Sequence, residues 1–356
     1  MMGVRRRLKQ ELRRGLQQAR LHLEPLRLQL TPFRARRERQ QLAAINALER
    51  VLESRLPEGL IAAGERLVLF SHFHPKGWLQ RCIRRELADL RERGWQVLLL
   101  TDQLDADALG WCGQYGIGWL RRRNEGRDFG AFQDGWLWLQ QQGLAKGLER
   151  LILLNDSVYP VSNLGASSWP RFLDHQGDEV LGFSDSFQNG YHLQSYGLHV
   201  PAGVLNQSWW DGYWRSYPGW GGMRVAIRDG EIGLSALLMD HGVALRALHP
   251  VGRLRAQIAS VELFEQLQQH CSKPAAVWIQ KQLLATGMSA VNFYSPAHYW
   301  AIPLLLDGCP FLKRWLFENN NRQMLDPLLV AGGDAALVDP EELADFLRPP
   351  LIGFAG

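Results

Sequence analysis

The chain has 356 residues, 46% of them hydrophobic and 21% charged. That length and apolar content support one or two buried cores, and exclude a disordered chain, a collagen-like repeat and a disulfide mini-scaffold. The net charge of +4 hides an asymmetry, because residues 1–60 hold 14 basic and 6 acidic side chains while the remainder holds 26 and 30. Positive charge concentrated in one arm, rather than over the folded body, argues against a nucleic-acid partner.

The arm carries Arg5-Arg6-Arg7, Lys9, Arg13-Arg14 and Arg34 to Arg39, interleaved with Leu8, Leu12, Leu16, Leu21 and Leu23. This spacing predicts a basic amphipathic helix ending near Pro25, followed by a second helix over residues 41–56. Two readings stand for residues 1–60: a helical arm on an anionic membrane surface, or a solvated extension. Glu24, Pro25 and Arg27 interrupt the arm's apolar run, so no signal-peptide core is expected. No stretch reaches the roughly 18 apolar residues of a membrane-spanning helix. Cys82, Cys112, Cys271 and Cys309 lie far apart without a CxxC pair. They read as reduced core thiols of a cytoplasmic protein, peripheral on the inner membrane face if the arm is an anchor.

From residue 61 short apolar runs alternate with amphipathic helices. Strands are predicted at Leu67–Phe70, Val97–Leu100, Ile117–Leu120 and Leu151–Leu154. Helices are predicted at Trp78–Arg93, around 105–115, and through Phe129, Phe132, Trp136 and Leu139. This is the pattern of an α/β protein with a parallel sheet covered on both faces. Further strands are expected at Leu181–Phe183 and Leu193–Val200, and helices over 205–217 and Glu231–His241. Residues 251–330 form a helical extension and 331–356 a Gly/Pro-rich tail.

Ligands of parallel sheets sit beyond the carboxyl ends of the strands. Four polar groups fall there: Ser71-His72, Thr101-Asp102, Arg121 to Asp128, and Asn155-Asp156-Ser157. No GxxxxGK[ST], no GxGxxG after the first strand, no GxSxG and no HExxH occurs, which removes many common α/β enzymes. Asp156 at the end of the fourth strand can hold Mg2+ or Mn2+ against a leaving diphosphate. Arg121, Arg122, Arg123 and Arg127 are candidates for the diphosphate itself. Asp128 is read either as a ligand-binding group or as a helix cap. His72 and His74 are two imidazoles without a third ligand nearby, which favours a donor-binding or loop role over a metal site. Trp209, Trp210 and Trp214 at helical spacing read as core.

The runs Arg123-Asn124-Glu125-Gly126-Arg127-Asp128-Phe129-Gly130-Ala131-Phe132 and Leu154-Asn155-Asp156-Ser157-Val158-Tyr159-Pro160 resemble signatures of the rhamnan synthesis protein F family. So do Tyr191-His192-Leu193-Gln194-Ser195-Tyr196 and Glu231-Ile232-Gly233-Leu234-Ser235. The four blocks occur in that family's order, and the resemblance covers roughly residues 66–315. It implies a glycosyltransferase of GT-A-like fold: a nucleotide-sugar-binding, Rossmann-type sheet with additional C-terminal helices. It also implies a nucleotide-sugar donor such as dTDP-L-rhamnose and a polysaccharide or lipid-linked glycan acceptor. By this resemblance residues 61–160 are the donor half, with His72, Asp102, Arg123, Asn124, Gly126, Arg127, Asp128, Asn155, Asp156 and Ser157 as donor-binding residues. Residues 161–250 are the acceptor half. Asn155 stands where the broader fold carries the first acid of an Asp-x-Asp metal motif. His74 replaces an expected Asp, and Ser295-Pro296-Ala297-His298 replaces Asn-Pro-Thr-His.

Sugar transfer needs a carboxylate that takes the acceptor's hydroxyl proton. Asp185, Asp229 and Glu231 are the candidates, with Asp185 and Glu231 favoured equally as catalytic groups. His192, Gln194 and Ser195 are expected near the acceptor, His192 and Gln194 sharing one strand face. The alternative is a non-catalytic carbohydrate-binding or scaffold subunit of a polysaccharide assembly complex.

Overall fold

The computed structural model describes residues 47–57, 66–219, 221–258, 260–289, 295–318 and 339–347. All belong to one compact unit that begins at Ala47. The predicted amphipathic helix of the basic arm lies outside the described residues, as do residues 41–46 of the second predicted helix. The described end of that second helix is different: a 3-10 turn, Ala47–Arg50, leads into a strand, β1 (Val51–Arg55).

The alternating region folds as its pattern dictates. In order come β2 (Arg66–His72), α1 (Arg81–Glu92), β3 (Gln96–Thr101), α2 (Ala106–Gln114), β4 (Gly118–Arg122), α3 (Arg127–Gln141) and β5 (Arg150–Asn155). Alternate strand residues point to opposite faces. Leu69, Leu98 and Leu153 therefore pack with Phe132 and Trp136 of α3 on one side of the sheet. Phe70, Leu99 and Ile152 pack with Ile83 and Leu87 of α1 on the other. Both faces are covered, which is why these strands are apolar at every position. Each fully buried Leu or Phe contributes on the order of 2 kcal/mol.

The second half supplies β6 (Val158–Pro160), β7 (Val180–Ser186), β8 (His192–Leu193), β9 (Gly197–Pro201) and β10 (Leu245–His249). The main sheet runs β1-β4-β3-β2-β5-β9-β7-β10, with β8 paired to β7. β2 to β5 are mutually parallel, β9 is antiparallel to both β5 and β7, and β1 is antiparallel to β4. The fold is thus α/β, with a mixed, largely parallel central sheet flanked by helices. The single strand expected at Leu193–Val200 is broken in two, because Gln194 to Tyr196 turn inward between β8 and β9.

Further helices are α4 (Ser208–Ser216), α5 (Gly233–Asp240), α6 (Val251–Ile258), α7 (Val261–His270), α8 (Lys273–Ser289) and α9 (Pro340–Leu347). Trp210 and Trp214 are fully buried core residues, as their helical spacing predicts. The helix expected from Glu231 begins earlier, as a π-helical turn Ala226–Ile232 that runs into α5. Two further differences bear on function. The stretch read as helical contains a strand, β11 (Phe311–Lys313), which pairs antiparallel with β6. The stretch read as a tail contains α9, whose Glu342 pairs with Arg85 of α1 at 2.8 Å. One apolar cluster reaches from Val68 to Phe346, so residues 61–160, residues 161–250 and the C-terminal portion share it. All four cysteines are free thiols. Among the described residues, no helix is long and apolar enough to cross a membrane.

Candidate functional site

The chain adds β3 and β4 on one side of β2 and then returns to add β5 on the other. The reversal falls between β2 and β5, and ligands of such sheets bind beyond the carboxyl ends of the strands at such a point. Ser71 pairs with Asn155 across that point, and the Asp156 N–H donates to the Ser71 carbonyl at 3.1 Å. Asp156 Oδ2 accepts from the Phe73 N–H at 2.9 Å and lies 2.9 Å from His72 Nδ1. His72 Nε2 in turn meets the Trp78 carbonyl at 2.9 Å. Burial opposes ionisation of Asp156, but the hydrogen bond and charge of His72 hold its carboxyl below the ordinary range. Asn155 is a brace: its Nδ2 donates to the Ser195 carbonyl at 3.2 Å, and its Oδ1 accepts from Ser157.

The Arg/Asn/Gly/Asp block divides. Gly126 has φ +72°, and a Cβ there would stand 2.0 Å from the Gly219 carbonyl oxygen, so only glycine fits. Arg127 follows in the left-handed region at φ 55°. Asp128 is not a cap; it lies in the first turn of α3, accepts from Ser71 Oγ at 3.3 Å, and turns towards Asp156. Burial first, and the Asp156 charge second, push its carboxyl up to about 6. Arg121 is spent on Glu53 at 3.0 Å on the exposed edge. Arg122 is buried against Asp134 at 2.6 Å. Both guanidinium groups are thus engaged by carboxylates of the protein itself. The Arg123 and Asn124 side chains are exposed, and the Arg123 N–H donates to the Arg50 carbonyl at 2.8 Å. Asp102, at the end of β3, keeps a buried Oδ1 without a hydrogen-bond partner. Burial raises its proton affinity.

Within residues 161–250 the structure separates the two favoured carboxylates. Glu231 Oε1 accepts from both the N–H (3.2 Å) and the hydroxyl of Ser195. Asp185 accepts from the Val251 N–H at 2.6 Å and so secures the start of α6. Asp229 is held by its neighbour Arg228. Gln194 is interior, accepting from Ser184 Oγ at 2.7 Å and donating to Ser295. His192 is buried beside the Gly190 carbonyl at 2.9 Å. Of the three predicted acceptor residues, Ser195 alone is hydrogen-bonded to a candidate base.

Sequence reasoning missed two cations. Pairing of β11 with β6 sets Lys313 opposite Val158. Lys313 Nζ donates to Ser157 Oγ at 2.8 Å. Burial lowers its proton affinity, against the opposing charges of Glu231, Asp128 and Asp156. One ammonium therefore stands in the field of three carboxylates drawn from three separate blocks. Arg314 anchors its N–H on the Ser157 carbonyl at 2.9 Å, and its guanidinium lies 4.1 Å from the centre of the Phe346 ring. Its Nε and Nη2 are buried without a hydrogen-bond partner. The only signal in the sequence was a basic pair directly after the apolar Phe311-Leu312.

A divalent cation on Asp156 does not fit this donor set. Oδ2 is already engaged by His72 and Phe73, and the ammonium of Lys313 already stands among the neighbouring carboxylates. Among the described residues, no three His, Cys, Asp or Glu side chains converge as a metal site.

No family model matches the chain. It is 26% identical over 199 residues to the uncharacterized protein y4gN of Sinorhizobium fredii, covering 54% of this chain and 51% of that protein. It is 24% identical over 243 residues to the virulence protein VirA of Vibrio anguillarum, covering 65% of this chain and 72% of that protein. The chain thus spans about half the length of the first relative. Both likenesses are distant.

Proposed function

We propose that this protein is a glycosyltransferase of GT-A-like fold. It moves a rhamnose-like sugar from a nucleotide donor, such as dTDP-L-rhamnose, onto a cell-surface polysaccharide or a lipid-linked glycan. The observation that carries this reading is the convergence of four sequence blocks far apart in the chain. Asp128, Asp156, Ser195 and Glu231 come from one block each, and Asn155–Ser195, Ser195–Glu231 and the shared charge of Lys313 link them. They do so at the crevice where an α/β sheet takes a nucleotide.

The chemistry divides along the crevice. The unpartnered Asp102 Oδ1 accepts an N–H or hydroxyl of the nucleoside. Glu231, oriented by Ser195, removes the acceptor hydroxyl's proton as that oxygen attacks the anomeric carbon. The bond from that carbon to the diphosphate oxygen breaks, and the electron pair leaves on the nucleoside diphosphate. Glu231 is preferred to Asp185 as base because Asp185 already secures the start of α6.

A thermal-shift screen with dTDP-, UDP- and GDP-sugars tests the reading. A ligand that binds only the folded state at 100 times its Kd stabilises it by about 2.7 kcal/mol. A selective rise in Tm is expected with one base. No rise with any of them overturns the proposal. A rise without sugar transfer supports the non-catalytic binding subunit instead.

A further inference from the structure

We propose that His74, Lys313 and Arg314 form the cradle for the donor's diphosphate, so that protein cations and N–H donors, not a divalent metal ion, meet the leaving group. The inference rests on the glycosyltransferase reading and names the part of the site that holds the phosphates.

His74 is fully buried in the loop after β2. Its Nδ1 accepts the N–H groups of Lys76 and Trp78, both at 3.2 Å. A neutral imidazole with an accepting Nδ1 carries its proton on Nε2. That Nε2 is buried without a hydrogen-bond partner. The ring is stacked on Trp78, with centroids 5.2 Å apart, so the donor cannot swing to find water. Burial lowers the ring's pKa to about 4, with the nearby charges of His72 and Arg314 adding to that effect. At neutral pH His74 is therefore an uncharged N–H donor.

Arg314 repeats the pattern with a permanent charge. The Ser157 carbonyl fixes its backbone and the Phe346 ring backs its guanidinium, yet Nε and Nη2 have nothing to donate to. Burying donors in this way is costly unless a ligand completes them. A group that satisfies an arginine fork and an imidazole N–H together must be an acceptor with several oxygens, and phosphate is such a group. A metal ion cannot be, since these three side chains present only donors. Lys313 supplies the second positive charge from the adjacent position, tied to Ser157 at 2.8 Å. The cradle sits beside Asp156, whose charge acts on both His74 and Lys313. His74 lies in the loop after β2 and Lys313-Arg314 at the end of β11, more than 230 residues apart in the sequence.

Titration calorimetry on the full chain tests this with dTDP and dTMP, each in EDTA and in Mg2+. The wild type is expected to bind dTDP in EDTA as well as in Mg2+, and to bind dTMP more weakly. Arg314→Gln is expected to weaken dTDP binding roughly 10- to 100-fold, the range of one charge-assisted hydrogen bond. Arg121→Gln, an exposed edge residue, is expected to leave binding unchanged. Loss of dTDP binding in EDTA overturns the inference, as does equal affinity for dTDP and dTMP. Both of these arms use wild-type protein and do not depend on the folding of a variant. Unchanged dTDP affinity in a folded Arg314→Gln overturns it too, while leaving the glycosyltransferase reading intact. A wild type that binds none of dTDP, UDP or GDP overturns both.

Discussion

Two groups of basic side chains lie in this molecule, and they are used in opposite ways. Arg50 and Arg122 converge on the buried carboxylate of Asp134. Gln133 extends the cluster, accepting from Arg50 at 2.6 Å and donating to the carbonyls of Trp214 and Tyr217 at 2.7 Å each. Donors and acceptors there are matched within the protein, and the network ties the 3-10 turn before β1, and β4, to α3 and α4. Arg314 instead leaves buried donors open, and Lys313 beside it stands in the field of three carboxylates. Position near a strand end does not distinguish the two groups; the state of their hydrogen bonds does. The closed network belongs to the fold, and the open donors of Arg314 are the ones assigned above to the proposed diphosphate.

Asp134→Ala breaks the closed cluster and leaves two guanidinium groups uncompensated in the interior. Removing one partner of a buried ion pair costs about 3–5 kcal/mol, so equilibrium denaturation is expected to show a loss of that size. A loss below about 1 kcal/mol would mean that the cluster is solvated and that the contrast is false. Glu231→Gln probes the open group. Sugar transfer is expected to fall about 100- to 10,000-fold, the usual worth of a positioned general base, while dTDP affinity stays near wild type.

The pH dependence of stability gives a smaller and more specific signal. Asp128 is pushed from the ordinary 3.8 up to about 6. Between those values the folded protein holds a proton that the unfolded chain lacks, so this group's contribution falls as pH rises through the window. Tm measured from pH 4 to pH 7 is expected to show that decline, and Asp128→Asn to flatten it. Identical profiles would place Asp128 outside the charged cluster. Arg121→Gln should be the mildest change, since an exposed pair contributes about 0–1 kcal/mol. A larger drop in Tm would return Arg121 to the buried class.

The core of the fold was legible because strands buried on both faces must be apolar throughout. Leu67–Phe70, Val97–Leu100 and Leu151–Leu154 announce themselves for that reason. β1 was not legible: it is itself the edge strand, pairing only with β4, and its Leu52, Glu53, Ser54 and Arg55 are exposed. Helical spacing of its apolar residues was the stronger local signal. β11 is three residues long and owes its form to pairing with β6, a contact across 150 residues that no local pattern records. The same gap explains the site. Asp128, Asp156 and Glu231 lay in recognisable blocks, whereas Lys313 and Arg314 arrive through that distant pairing. The arginine run misled for a related cause, because Asp134 and Glu53, which absorb Arg122 and Arg121, give no sign in sequence of being their partners.

The most direct test of the central claim is nucleoside diphosphate release by the full-length protein from a panel of dTDP-, UDP- and GDP-sugars, with a glycan acceptor present and EDTA in the buffer. Wild type and Glu231→Gln are compared. The account predicts acceptor-dependent release from one donor class by the wild type, nearly abolished by Glu231→Gln, with nucleotide binding retained in both. Wild-type protein that neither binds nor turns over any member of the panel would contradict it.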